Sequence, residues 1–133
     1  MNTRAQLSIE FIVLLVIVLG AIILLLVGMQ SRQQQLQTAE LDVLANQLLD
    51  EVAYSIWHVQ MLGEQASMQV YIPNTVQSRE FTLTIHNQSR LLTLFTGDFV
   101  YQRPITTGAF VSVDFITGRL YTVTNTEGRI VFS

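Results

Sequence analysis

There is no cysteine in the 133 residues, which excludes disulfides, thiolate catalysis and cysteine-based zinc sites. Lysine is absent too. All seven basic side chains are arginines, scattered from Arg4 to Arg129, so nothing resembles the basic footprint that nucleic-acid binding needs. Charge of either sign is scarce, at 13% of residues with a net charge of -3, while 50% are apolar. That balance suits a membrane-associated or heavily packed protein and argues against disorder. Histidine is limited to His58 and His86, with no His-x-x-x-His or His-Glu-x-x-His spacing for a metal site. There is no glycine-rich phosphate loop, no nucleophile elbow, no acidic calcium loop around Asp98 or Asp114, and no internal repeat. Asp50 and Glu51 are adjacent, hence not on one helical line, and read as solvated charges. The expectation is a protein that is not an enzyme and needs no cofactor or metal.

What the sequence has in plenty is a long apolar run. Residues 11–29, FIVLLVIVLGAIILLLVGM, are nineteen without a charge, enough as a helix to cross the roughly 30 Å hydrocarbon core of a bilayer. A cleaved secretory signal is the rival reading, but its apolar region runs only about 7 to 15 residues and ends at a small-residue cleavage site. Here the run passes straight into Gln30, Ser31 and Arg32. Glu10 sits against it, where a carboxylate costs a few kcal/mol to immerse unless it stays at the interface or finds a partner. Taken alone, Glu10 reads equally well as a solvated border residue.

Its neighbours add a second reading. The stretch Arg4-Ala5-Gln6-Leu7-Ser8-Ile9-Glu10-Phe11 resembles the processing site of archaeal type IV pilin-like proteins with a class III signal peptide, a Q-x-S-x-E-F motif directly before the apolar helix. Gln6, Ser8, Glu10 and Phe11 match it, and Arg4 supplies the basic charge before the cut. The resemblance covers roughly the first 30 residues closely and the rest only in architecture. It implies that a prepilin peptidase cuts between Ala5 and Gln6, removing a short polar leader and keeping the apolar helix. It also implies a role for Glu10, which becomes the fifth residue of the trimmed chain and pairs with the terminal ammonium of an adjacent subunit. A carboxylate near a helix N-terminus is favoured by the helix dipole, and pairing avoids an uncompensated buried charge.

Downstream, residues 30–62 contain no proline and place Leu41, Leu44, Ala45, Leu48, Leu49, Val52, Ile56 and Val59 at helical spacing. Glu40, Asn46, Gln47, Asp50, Glu51, Tyr54 and His58 fall on the opposite side, and Gln33-Gln34-Gln35 forms a polar collar. Residues 6–62 are thus expected to form one helix of about 85 Å, stopped at Gly63. Gly20 and Gly28, eight apart, fit either close helix packing or ordinary membrane-helix composition. After Gly63 the apolar period changes to two, with strands expected at 68–72, 81–86, 91–96, 99–102, 110–115, 120–124 and 130–132. Turns are expected at Pro73-Asn74, Asn87-Gln88-Ser89, Thr96-Gly97-Asp98, Pro104, Thr117-Gly118 and 125–128. Thr82, Thr84, Thr122 and Thr124 alternate with Phe81, Leu83, Ile85, Tyr121 and Val123, giving an antiparallel sheet one wet and one dry face. The helical stripe 41–59 is the surface available to cover the dry face.

The expected fold class is therefore α+β, type IV pilin-like: a leader (1–5), an apolar helix (6–29), its amphipathic continuation (30–63) and an antiparallel β domain (64–133). The resemblance implies a structural subunit, major or minor, of an extracellular pilus-like filament that serves adhesion. It implies as partners copies of itself, the prepilin peptidase, a membrane assembly platform, and lipid before assembly, with no nucleic acid. A single-pass anchored binding module and a non-polymerising accessory pseudopilin are the alternatives. Arg4 before the span and Arg32 after it give little orientation signal. Asn87-Gln88-Ser89 satisfies the N-glycosylation sequon in an expected turn, where asparagine also occurs for conformational reasons alone.

Overall fold

A computed structural model of the chain describes the backbone of residues 3–106 and 109–133, with side chains from Ile9 onward. Among the described residues a single helix, α1 (Thr3–Leu62), leads into eight strands: β1 (Ser67–Ile72), β2 (Thr82–His86), β3 (Leu91–Thr96), β4 (Phe99–Pro104), β5 (Ala109–Phe110), β6 (Val113–Phe115), β7 (Arg119–Thr126) and β8 (Arg129–Phe132). The chain is α+β, with the β domain packed on the second half of the helix, and this fits a type IV pilin-like architecture. It divides into two compact units after Ala39.

No proline interrupts α1, and the helix stops where glycine permits it. Gly63 takes φ +88° and its N–H donates to the Gln60 carbonyl at 3.2 Å, the left-handed C-terminal cap that an L side chain resists. Within the second unit the helix buries Leu41, Ala45, Leu48, Leu49, Val52, Ile56 and Val59. Leu44, expected in that stripe, is instead exposed. With 3.6 residues per turn it stands about 80° around the helix from Val52, at the edge of the stripe. The buried place at that margin goes to Ser55, whose hydroxyl donates to the Val52 carbonyl at 2.7 Å and so enters the core satisfied.

The strands form two four-stranded sheets, ordered β1-β7-β8-β5 and β4-β3-β2-β6, where one antiparallel sheet was expected. Pairing is antiparallel except for the two-residue parallel contact of β5 with β8. The expected strand 110–115 is two strands. β5 joins the first sheet and β6 pairs with β2 in the second. The cause is parity: Phe110 and Phe115 are five residues apart, so one flat strand would point them to opposite faces. Breaking the ladder at Val111-Ser112 lets both rings enter the core, where both are buried. Phe115 then meets Tyr121 and Phe132 edge-to-face at 5.1 Å each, tying β6 to the strands of the other sheet.

The hairpins follow their turn residues. β7 and β8 are joined by Glu127 (φ +54°) and Gly128 (φ +79°), two consecutive left-handed residues as a tight hairpin requires. Pro104 ends β4 at an outer edge of its sheet, where a missing N–H removes no ladder bond. The helical stripe, Val70, Ile72, Phe110, Val123 and Ile130 of the first sheet, and Leu83, Ile85, Leu92, Leu94 and Phe115 of the second make one continuous apolar core.

Candidate functional site

The first unit carries the largest unsatisfied surface. From Ile9 to Met29 every large apolar side chain is exposed, and the stretch is long and apolar enough to cross a membrane. Monomeric soluble proteins seldom expose a contiguous apolar patch larger than a few hundred Å2, and larger ones mark sites of membrane or protein contact. Nothing lies within 4 Å of where a Cβ would stand at Gly20 or Gly28. No packing within the chain therefore requires glycine at either position.

Glu10 and Phe11 are exposed at the start of this surface. The ion pair found among the described residues, Arg103 with Asp50, lies elsewhere. Ala5, Gln6 and Ser8 sit on the backbone of α1, and their side chains lie outside the described residues. Of the residues expected to form a processing motif, the structure thus places Glu10 and Phe11 in full and the others by backbone alone. Asn87 is exposed in the four-residue loop between β2 and β3, and its backbone N–H donates to Ser112 Oγ at 3.0 Å.

Side chains on β4 and the loop before β2 fasten the second unit's helical segment to its sheets. Tyr101 donates its hydroxyl to Asp42, Arg103 pairs with Asp50, and Gln77 Nε2 donates to Glu40 at 2.9 Å. Burial pushes the Tyr101 hydroxyl up to about 12, helped by the bond to Asp42 and by that carboxylate's charge, with Arg79 pulling the other way. Arg79 also lies 5.9 Å from the centre of the Phe99 ring.

His58 and His86 are not brought together. His86 is exposed and its Nε2 is 3.4 Å from Thr84 Oγ1, whereas His58 is half-buried on α1 with its ring 5.6 Å from Tyr54. No group of three or more metal-ligating side chains is found among the described residues. An open depression of about 290 Å3 lies between the helix end and the β7–β8 hairpin, lined by Glu64, Gln65 and 124–127.

Tyr54 is exposed on the side of α1 opposite the buried stripe, as expected. It stands beside Trp57 with ring centres 6.0 Å apart, and Val43, Tyr54, Trp57 and Met61 are all exposed. The sequence signal was present in their spacing of three and four residues, but it was hidden by Gln47 and Asp50 in the same row. Comparison of the chain with family models, curated proteins and solved structures finds no match in any of the three.

Proposed function

We propose that this chain is a structural subunit of an extracellular type IV pilin-like filament, held in the membrane by α1 after leader removal and then assembled through it. Its work is assembly, not catalysis. The observation that carries the reading is an apolar helix with no cover of its own, joined to a domain that buries its own core. The Gln6, Ser8, Glu10 and Phe11 pattern at its start supports processing by a prepilin peptidase. Packing uncharged helices against one another exchanges lipid contacts for protein contacts, while the β domains form the outer surface. Glu10 sits where a terminal ammonium created between Ala5 and Gln6 on a neighbouring subunit would neutralise it.

Three measurements test this. Sequencing the mature amino terminus is expected to begin at Gln6; a start at Met1 counts against the reading. Electron microscopy of surface filaments, with mass spectrometry of their protein, is expected to find this chain in them. Glu10→Ala is expected to leave membrane insertion intact and lower filament yield by more than about tenfold, since losing one partner of a buried ion pair costs about 3–5 kcal/mol. Normal filaments from that variant reject the pairing role.

A further inference from the structure

We propose that Asn87 is the attachment point of an N-linked glycan, added to the β domain outside the cell. This rests on the filament-subunit reading, because the acceptor must be exported, and adds to it a covalent modification site. Asn87-Gln88-Ser89 is the one stretch of the sequence in which asparagine is followed two residues later by serine or threonine. Nothing in assembly through α1 calls for it.

Asparagine in a turn ordinarily has a conformational reason, and the structure removes it. Loops favour asparagine because it tolerates a left-handed backbone and because its carboxamide bonds the backbone two residues on. In the loop 87–90 the left-handed residue is Arg90 (φ +51°), not Asn87. No hydrogen bond of the Asn87 carboxamide is found among the described residues, and the bond that Asn87 makes to Ser112 Oγ runs through its backbone N–H. The other asparagines with described side chains each have a structural part. Asn46 donates to the Asp42 carbonyl, Asn74 lies against Gly118, and Asn125 is buried.

The surroundings suit an acceptor. Every residue from His86 to Arg90 is exposed, so Asn87 and Ser89 are open to an enzyme. The loop is nonetheless fixed at its ends, where His86 pairs with Leu91 and the Ile105 N–H donates to the Arg90 carbonyl at 2.8 Å. In the transfer, Asn87 Nδ2 attacks the anomeric carbon of a lipid-carried glycosyl phosphate. The nitrogen–carbon bond forms and the carbon–oxygen bond to phosphate breaks. The phosphate leaves on its lipid carrier with the bonding electrons, and Nδ2 gives up one proton. Catalysis belongs to the transferase, and Ser89 supplies the hydroxyl by which the acceptor is recognised. The product is a bulky, solubilising chain at the tip of the β2–β3 hairpin, where it displaces no packed side chain.

Trypsin releases Asn87 in the peptide 80–90, between the cuts after Arg79 and Arg90. The chain made in its own cells is recovered from surface filaments and from membranes, and this peptide is measured by mass spectrometry with electron-transfer fragmentation. A mass increment of one or more sugar residues is expected on Asn87. Ser89→Ala is expected to abolish the increment and Ser89→Thr to keep it, with thermal unfolding unchanged in both because Ser89 is exposed. Bare Asn87 in chains that begin at Gln6 and come from filaments overturns this inference and leaves the filament reading standing. An increment that survives Ser89→Ala, or that lies on Thr82, Thr84 or Ser89, overturns it too. The increment on Asn87 of exported chains that never enter filaments upholds the site while the filament reading fails.

Discussion

The same helix meets two environments in this molecule. Its residues beyond Glu40 bury an apolar stripe against two sheets of their own chain, whereas those from Ile9 to Met29 bury none. Both segments are α-helical, so propensity does not distinguish them; what differs is who supplies the cover. The second unit is stabilised from within, and the first leaves its apolar side chains exposed. The buried stripe and the exposed apolar run are thereby separated along one element, and a substitution is expected to disturb the folding of the second unit or the apolar surface of the first according to its position.

The largest effect is expected in the core of the second unit. Leu83 on β2 is fully buried, and Leu83→Ala removes its contacts and leaves a cavity, costing about 2–5 kcal/mol. Urea denaturation of the purified chain measures this, and membrane partitioning is expected not to change. A loss under about 1 kcal/mol would show that this core relaxes around the gap and that the two units are less different than their packing implies.

The complementary break is Leu19→Arg in the exposed apolar run. A charge at the centre of a spanning helix costs about 2.5–3.5 kcal/mol for insertion, so alkaline carbonate should extract much more of the variant from membranes. The β domain's thermal unfolding is expected to be unaffected. Loss of domain folding in this variant would mean that the first unit supports the second, and the separation argued above would fail.

This division was legible in the sequence to the extent that it depends on period. The uncharged run, the stripe from Leu41 to Val59 and the stop at Gly63 are all local patterns, and local patterns fix helices and their faces. Alternation likewise located strands such as 82–86 and 91–96 within a residue or so. Alternation states which face a residue takes but not which strand it pairs with. The partition into two sheets, the parallel contact of Phe110 with Ile130, and the break at Val111-Ser112 were therefore invisible. Contacts such as Tyr101 with Asp42, 59 residues apart, exist only once the sheets are placed. For the candidate surfaces, Glu10 and Asn87 were visible as motifs, while the exposed row through Trp57 was hidden by Gln47 and Asp50 within it.

The smallest effect sharpens the comparison by titrating the second unit alone. Tyr101 keeps its proton to about 12 in the folded chain, whereas an unfolded tyrosine loses it near 10. Below about pH 10 both states are protonated and the contribution is fully present. Between about 10 and 12 the unfolded state binds fewer protons, so stability falls as pH rises, and it is lost above the folded value. With solvent screening of this partly exposed group, the expected loss is on the order of 1 kcal/mol. No lysine or cysteine is present to titrate in the same window. Tyr101→Phe removes the bond to Asp42, costs about 1–2 kcal/mol at neutral pH, and should lose this share of the alkaline slope. Urea midpoints of the two proteins are therefore expected to converge as pH approaches 12. Parallel curves would show that Tyr101 ionises equally in both states, leaving the helix-to-β4 contact without a part in holding the second unit together.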